Sequence, residues 1–504
     1  DLSIIFYINM EISVDARKAK IAHCFVPEIL VNYLTHMVRN GNEKIEPASF
    51  FIIGVCLLVD ISGFTKMSEQ FCDDGKGGID SLQVATNEYM GTLVDVIYSH
   101  GGDIIKFAGD ALVCVFANPD MNEVTKQRKF FPGQESEVPV ETVLQAVRCA
   151  HHIRHVRKDK LSVHVAMSCG EMCFGILGGV ENRWECLISG PCIHQLSDCL
   201  DDAPSTQAVL SPECQQVLIK HAIKLNTETP VADKDGTSKG SFNFGMVDAL
   251  EVEGSTKDAE TFKLRTDGIS YSISLLRMPS GNLRIISVEC DGAMPANTDA
   301  PAAELMTSPR VPLTSDADKA IVEELIRQFV PLPIIEELDN ALGLSHFAEI
   351  REVTTMFMKW DSYDANGKHR DLIELQACFY QAQRILHATG GFMRQFLVDD
   401  KGCVLIACWG MPNMSYVDNT YRALSAAAQI RHEFERLSMK TSVGITCADV
   451  YCGTVGSSER MEYAAIGSAV NMAARIMGKA KGRLLVDQSV YTHLSQADQD
   501  SLKA

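Results

Sequence analysis

The sequence predicts an α+β chain in which one supersecondary unit occurs twice, and three observations carry that prediction. GGDIIKFAGDALVCVFANP, beginning at residue 101, has a counterpart about 290 residues later in GGFMRQFLVDDKGCVLIACWGMPN. Each of these stretches reads as a strand, a tight turn and a second strand. Downstream, VHVAMSCGEMCFGILGG with WECLISGPCI answers to TSVGITCADVYCGTVGS with YAAIGSAVNMAAR, in the same order and at similar spacing. Each copy therefore reads as a strand, a long helix, a hairpin, another helix, a strand pair and a closing helix, an α+β sandwich rather than a doubly wound parallel sheet.

The first copy spans about 48–218 and the second about 347–498, with an N-terminal segment 1–47, a connecting segment 219–346 and a C-terminal stub 499–504. TETPVADKDGTSKGS and DGAMPANTDAPAAELMTSPRVPLTSDAD have the Pro, Ala, Ser, Thr and Asp content of exposed linkers. A small strand pair is expected around YSISLLRM and LRIISVEC, and AIVEELIRQFVPLPIIEEL reads as helix leading into the second copy.

At 504 residues the chain can bury two or three cores, and 46% hydrophobic with 22% charged residues is the balance of a globular protein. A net charge of -19 argues against a nucleic-acid surface, while leaving room for a polyanionic substrate held by metal ions and a few placed cations. The 17 cysteines lie scattered in apolar runs such as GVCLLVD and ALVCVF, so reduced core thiols are expected. Neither Cys192 with Cys199 nor Cys447 with Cys452 has a paired knuckle at zinc spacing. LSIIFYI and FFIIGVCLLV are too short to span a bilayer, so no membrane span and a cytoplasmic setting are expected. Asp rather than Met at position 1 suggests a fragment of a longer chain.

The run Ile52–Val59 has the length of a buried strand and delivers Asp60 at its C-terminal end, ahead of Ile61-Ser62-Gly63-Phe64-Thr65. That turn can open a helix, whose free N–H groups seat phosphate oxygens. Asp110 follows Gly109 between two alternating runs, the place of a two-residue hairpin turn. If the strand ending in Asp60 pairs beside the hairpin, both carboxylates reach one rim, and a carboxylate pair plus substrate phosphates is what Mg²⁺ prefers.

VDISGFT and FAGDALV are similar to the two metal-binding segments of class III adenylyl cyclases, most closely the soluble, bicarbonate-responsive type with tandem catalytic domains. The resemblance implies two ferredoxin-like cyclase domains, βαββαβ in type, packed head to tail as a pseudo-two-fold heterodimer within one chain. It implies conversion of ATP to 3′,5′-cyclic AMP and pyrophosphate. It places the metal site at Asp60, Ile61 and Asp110, with two Mg²⁺ per site and Mn²⁺ or Ca²⁺ as substitutes. Ser62, Gly63, Phe64 and Thr65 then fall on the phosphate side, and His164 where related cyclases carry a basic residue near the phosphates.

In the second copy Lys359 stands where Asp60 stands in the first, and a charged lysine cannot ligate a cation. Asp400 is kept. Asn471 and Arg475 are four residues apart and share a helix face. GSAVNMAAR resembles the cyclase segment whose Asn orients the ribose and whose Arg stabilises the reacting phosphate; in the first copy His194 and Asp198 occupy those places. The losses are reciprocal, so one interface site is complete and its pseudo-symmetric partner degenerate.

Three positions, in two sites, depart from the family pattern. The purine-reading pair falls on Gln395 and Ala464, where the family has Lys with Asp or Thr for adenine, or Glu with a small residue for guanine. The bicarbonate-binding Lys matches Lys106, but its Arg partner falls on Ser197. Rival readings are a nucleotide-binding pseudocyclase with a regulatory role, a guanylyl cyclase and, more remotely, a polymerase-like palm, which the acidic chain and tandem repeat disfavour.

Overall fold

The computed structural model describes residues 18–63, 67, 76–121, 137–158, 161–222, 259–266, 269–291, 315–340, 348–363, 372–399 and 402–503. After an arm helix α1 (Glu28–Arg39), the first copy runs β1 (Ala48–Ser62), α2 (Lys76–Ser99), β2 (Asp103–Ala108), β3 (Ala111–Phe116), α3 (Val140–Ile153), β4 (Ser162–Gly178), β5 (Trp184–Ser189), α4 (Pro191–Asp201), β6 (Ala208–Leu210) and α5 (Pro212–His221). The connecting segment holds β7 (Ala259–Thr266), β8 (Ile269–Arg277) and β9 (Leu283–Asp291), then two arm helices, α6 (Asp316–Arg327) and α7 (Leu332–Asp339). The second copy follows as β10 (Glu349–Trp360), α8 (Gln376–Thr389), β11 (Phe392–Asp399), β12 (Gly402–Trp409), α9 (Asn419–Arg436), β13 (Thr441–Gly456), β14 (Met461–Ile466), α10 (Ser468–Ala480), β15 (Leu484–Val486), α11 (Gln488–Thr492) and α12 (Gln496–Lys503).

The first sheet is ordered β2-β3-β1-β4-β6-β9-β8-β7, with β5 also on β4; the second is ordered β11-β12-β10-β13-β14, with β15 parallel to β13. This is the mixed α+β architecture the repeat predicts, with two similar sheet-based units. The connecting segment differs from expectation in one respect. Instead of an isolated strand pair, β7, β8 and β9 form a meander whose last strand bonds to β6 and so widens the first sheet. The linker-like composition on either side hid this, because only the strands themselves carry apolar alternation.

β1 shows why its sequence is apolar throughout. Side chains alternate across a strand, and here both faces are covered. Val55, Leu57, Val59 and Ile61 join a core with Leu93 and Ile97 of α2 and Val143 and Val147 of α3. Ile52 and Cys56 join a second core with Leu30 and Leu34 of α1 and Ile193 and Leu196 of α4. Asp60 belongs by parity to this second face, which also receives Val353, Val450 and Tyr463 of the second copy.

Head-to-tail packing is visible in matched hydrogen bonds. Lys106 Nζ donates to the Phe396 carbonyl and Gln395 Nε2 donates to the Phe107 carbonyl, each at 2.8 Å. The arms cross in the same way: Met461 N–H donates to Cys24 O at 2.6 Å and Trp184 N–H donates to Gln328 O at 3.0 Å. Each arm thus binds the strand edge of the other copy. The described cysteines are free thiols, all buried except the half-buried Cys290, as apolar placement predicts. Among the described residues no helix is long and apolar enough to cross a membrane.

Candidate active site

Asp60 lies near the C-terminal end of β1, opposite Ala111 of β3 and His164 of β4. Asp110 occupies the turn between β2 and β3 with Gly109, whose φ of 72° is the left-handed conformation that favours glycine there. The Ile61 N–H donates to the Asp110 carbonyl at 3.3 Å, which pins the turn against the strand end. The two carboxylate residues predicted from separate motifs therefore share one rim.

Burial raises the Asp60 pKa above the usual carboxylate value, and charge on His164 offsets only part of that rise. A carboxylate whose ionised form is penalised in this way is one that a divalent cation relieves. Two oxygen-bearing residues, without a dense cluster of protein ligands, fit an octahedral ion that takes its remaining ligands from substrate and water. Among the described residues no group of three or more His, Cys, Asp or Glu side chains forms such a cluster.

The following turn is partly described. Gly63 has φ 88°, and Met67 N–H donates to the Gly63 carbonyl at 3.0 Å, a helix-type bond that agrees with a helix start. Phe64 and Thr65 lie outside the described residues. The Ser62 hydroxyl meets His164 Nε2, while His164 Nδ1–H donates to the Ala203 carbonyl at 2.6 Å. Both ring nitrogens are occupied, so His164 buttresses the Asp60 strand pair, and as placed its ring is taken up by protein rather than held open for phosphate.

In the second copy, Asn471 and Arg475 lie one turn apart on the exposed side of α10, which starts after Gly467. α10 rests directly on β13 at Gly444, where a Cβ would fall 2.3 Å from the Ala473 carbonyl and 2.4 Å from the Met477 nitrogen. Lys359 sits on β10 opposite Val404 and Ser442, the topological place of Asp60. Asp400 lies outside the described residues. In the first copy His194 and Asp198 ride on α4, the counterpart of α10.

Lys106 and Gln395 prove to be counterparts: each follows a register slip in its hairpin strand, at Ile104/Lys106 and Met393/Gln395. Gln395 is buried, and because a carbonyl only accepts, its Nε2 is the atom on Phe107. Ala464 is buried with Tyr89 and Leu93 of the first copy. Lys106 is held by Glu185 at 2.6 Å. A cavity of about 210 Å³ opens beside it, lined mainly by apolar side chains such as Leu58, Leu196, Leu200 and Phe396, with Ser197 on its wall.

The motif pattern does not flag Arg460 or Glu185. Their signal is the repeat itself, since NRWECLISG and ERMEYAAIG align Arg183 with Arg460 and Glu185 with Glu462. Glu462 pairs with Arg394 at 2.9 Å.

No protein-family model matches the chain. Adenylate cyclase type 10 from Oryctolagus cuniculus is 24% identical over 457 residues, covering 88% of this chain and 25% of that protein. The protein of the same name from Homo sapiens is 24% identical over 472 residues, covering 91% and 26%. The chain thus spans about a quarter of the length of these relatives. Among solved structures, a class III adenylyl cyclase-like ATP-binding protein from Pseudomonas aeruginosa superposes with a TM-score of 0.52 at 12% identity, covering 90% of this chain and 87% of that one. Likeness in sequence along most of the chain agrees with the resemblance carried by the motifs: the chain is similar in sequence to adenylate cyclase type 10, and its fold is similar to that of a class III adenylyl cyclase-like protein.

Proposed function

We propose that this chain cyclises ATP to 3′,5′-cyclic AMP and pyrophosphate at one site between its two copies. The observation that carries the reading is the division of residues. Asp60 and Asp110 share a rim in the first copy, Asn471 and Arg475 share a helix face in the second, and neither copy holds both pairs.

Asp60 and Asp110, with Ile61 beside Asp60 on β1, would hold Mg²⁺. Bound there, the metal supplies Lewis-acid charge that activates the ribose 3′-hydroxyl and neutralises the triphosphate. Ser62 and Gly63 lead into the turn after β1, where a helix start would offer free N–H groups to phosphate. Asn471 orients the ribose, and Arg475 offers a rigid guanidinium to the oxygens that gain charge as the 3′-oxygen attacks the α-phosphorus and pyrophosphate leaves. Positioning and preorganised charge supply most of the rate. Arg475→Ala should lower turnover by at least about 100-fold, as loss of one preorganised donor does; near-normal cyclic AMP production by that variant removes the assignment.

Gln395 favours a second reading of selectivity. With Nε2 committed to Phe107, the amide presents its oxygen, an acceptor that suits the adenine amino group and also the guanine N–H donors. Ala464 adds no polar contact. Weak purine selection, or nucleotide binding with little turnover as in a pseudocyclase, follows from that pair. One assay of the purified chain with ATP and with GTP, in Mg²⁺ and in Mn²⁺, reading cyclic nucleotide, separates the three.

Bicarbonate regulation, the further implication of the resemblance, would act at the degenerate site. There Lys106 is neutralised by Glu185 and Ser197 offers no positive charge, so we expect a weaker response than a Lys–Arg pair would give. A titration that leaves the rate flat at saturating ATP and metal removes bicarbonate as a regulator.

A further inference from the structure

Arg460, at the entry to β14, is 2% exposed. Its guanidinium is spent on backbone carbonyls of both copies. Nε donates to Ile104 O at 3.0 Å, Nη1 to Cys24 O at 3.1 Å and to Met461 O at 2.5 Å, and Nη2 to Ile105 O at 3.3 Å. Ile104 and Ile105 stand at the register slip in β2, where the extra residue leaves the ladder and its polar groups need another partner.

Arg460 thus joins two short, stiff tracks. From Ile105, β2 reaches Asp110 in five residues; from Arg460, β14 and α10 reach Asn471 in eleven and Arg475 in fifteen. Its counterpart Arg183, before β5, is half-buried, and among the described residues its guanidinium donates to the Arg327 and Val330 carbonyls of the α6–α7 connection. The hairpin strand β11, which Arg183 would reach by symmetry, instead sends out Arg394 to Glu462. The asymmetry falls on the side that carries the four proposed active-site residues.

We infer that Arg460 is a positioning residue, setting the spacing between the carboxylate rim and the Asn471/Arg475 face; this rests on the cyclase reading above. Metal and phosphate contacts lie in the first copy and ribose and phosphoryl contacts in the second, so a shift between the copies harms the reacting geometry more than it harms nucleotide binding. A planar fork with five N–H groups reaches four carbonyls, and lysine cannot replace it.

The test compares Arg460→Lys, Arg460→Met and Arg183→Met in the full chain. Both Arg460 variants should lose kcat by about 10- to 100-fold, the effect of a misplacement near 1 Å, with KM for Mg-ATP within about threefold. Arg183→Met should keep kcat within about threefold. Hydrogen exchange at residues 103–108 and 461–466 should quicken in the Arg460 variants alone. Equal kcat losses at both arginines, or a loss at Arg460 without faster exchange, overturns the inference. If Arg460→Met does not fold, Arg460→Lys decides. If the unsubstituted chain forms no cyclic nucleotide, the cyclase reading fails, while the exchange contrast still decides whether Arg460 couples the two tracks.

Discussion

Asp60 meets two opposed demands. Burial on the strand end lifts its pKa, but a metal ligand must be ionised. On the proposed reading protons and Mg²⁺ compete for it, and the proton wins at a higher pH than it would at an exposed aspartate. The acid limb of the pH–rate profile should sit higher than an exposed aspartate would give and move to lower pH as Mg²⁺ is raised. A limb that stays fixed as Mg²⁺ changes would show that some other group titrates. At this scale the sequence was informative, because Asp60, Asp110, Asn471 and Arg475 announce themselves by residue type at set places in a repeated frame. His164 was less legible. Its histidine suggested phosphate contact, whereas Ser62 and Ala203, brought close by strand pairing and the chain after α4, already occupy both ring nitrogens.

Single elements are held where they can act by contacts that no motif spells out. α10 lies so close to β13 that Gly444 has no room for a side chain. Gly444→Ala should destabilise the chain by about 1–3 kcal/mol, as overpacking does. By pushing α10 outward it should also cut turnover more than tenfold; an alanine variant with unchanged melting temperature and rate would show that the helix has slack. The arm helix α1 is fastened differently. Asp103 Oδ1 and Oδ2 accept the N–H groups of Glu28 and Ile29 at 3.1 and 2.9 Å, capping the helix from another element. Burial nevertheless pushes the Asp103 pKa to about 6, against 3.8 for an ordinary Asp. The folded chain then holds an extra proton between those values, so stability from this group falls as pH rises from about 4 to about 6. Melting temperatures measured across that window should fall more steeply with pH for the natural chain than for Asp103→Asn, and parallel curves would refute the link.

For the whole molecule the decisive feature is the crossing of two similar units. Because the proposed reading joins carboxylates to Asn471 and Arg475 at one interface, calorimetry with a non-reacting ATP analogue and Mg²⁺ should give one site per chain; two equal sites would contradict the reciprocal loss. Sequence alone determined the tandem α+β plan and which copy carries Asp60 and Asp110 and which Asn471 and Arg475, because repeats, strand periodicity and charged residues at turns are local signals. It did not reveal that β7–β9 extend the first sheet, that each arm binds the opposite copy, or that Lys106 and Gln395 are mates across a pseudo-two-fold axis. The first two depend on backbone pairing between distant segments, and the last on carbonyls meeting side chains about 290 residues away, as Arg460 meets one about 440 residues away. A carbonyl is the same in every residue, so only the tertiary structure decides which of them Arg460, Lys106 and Gln395 find.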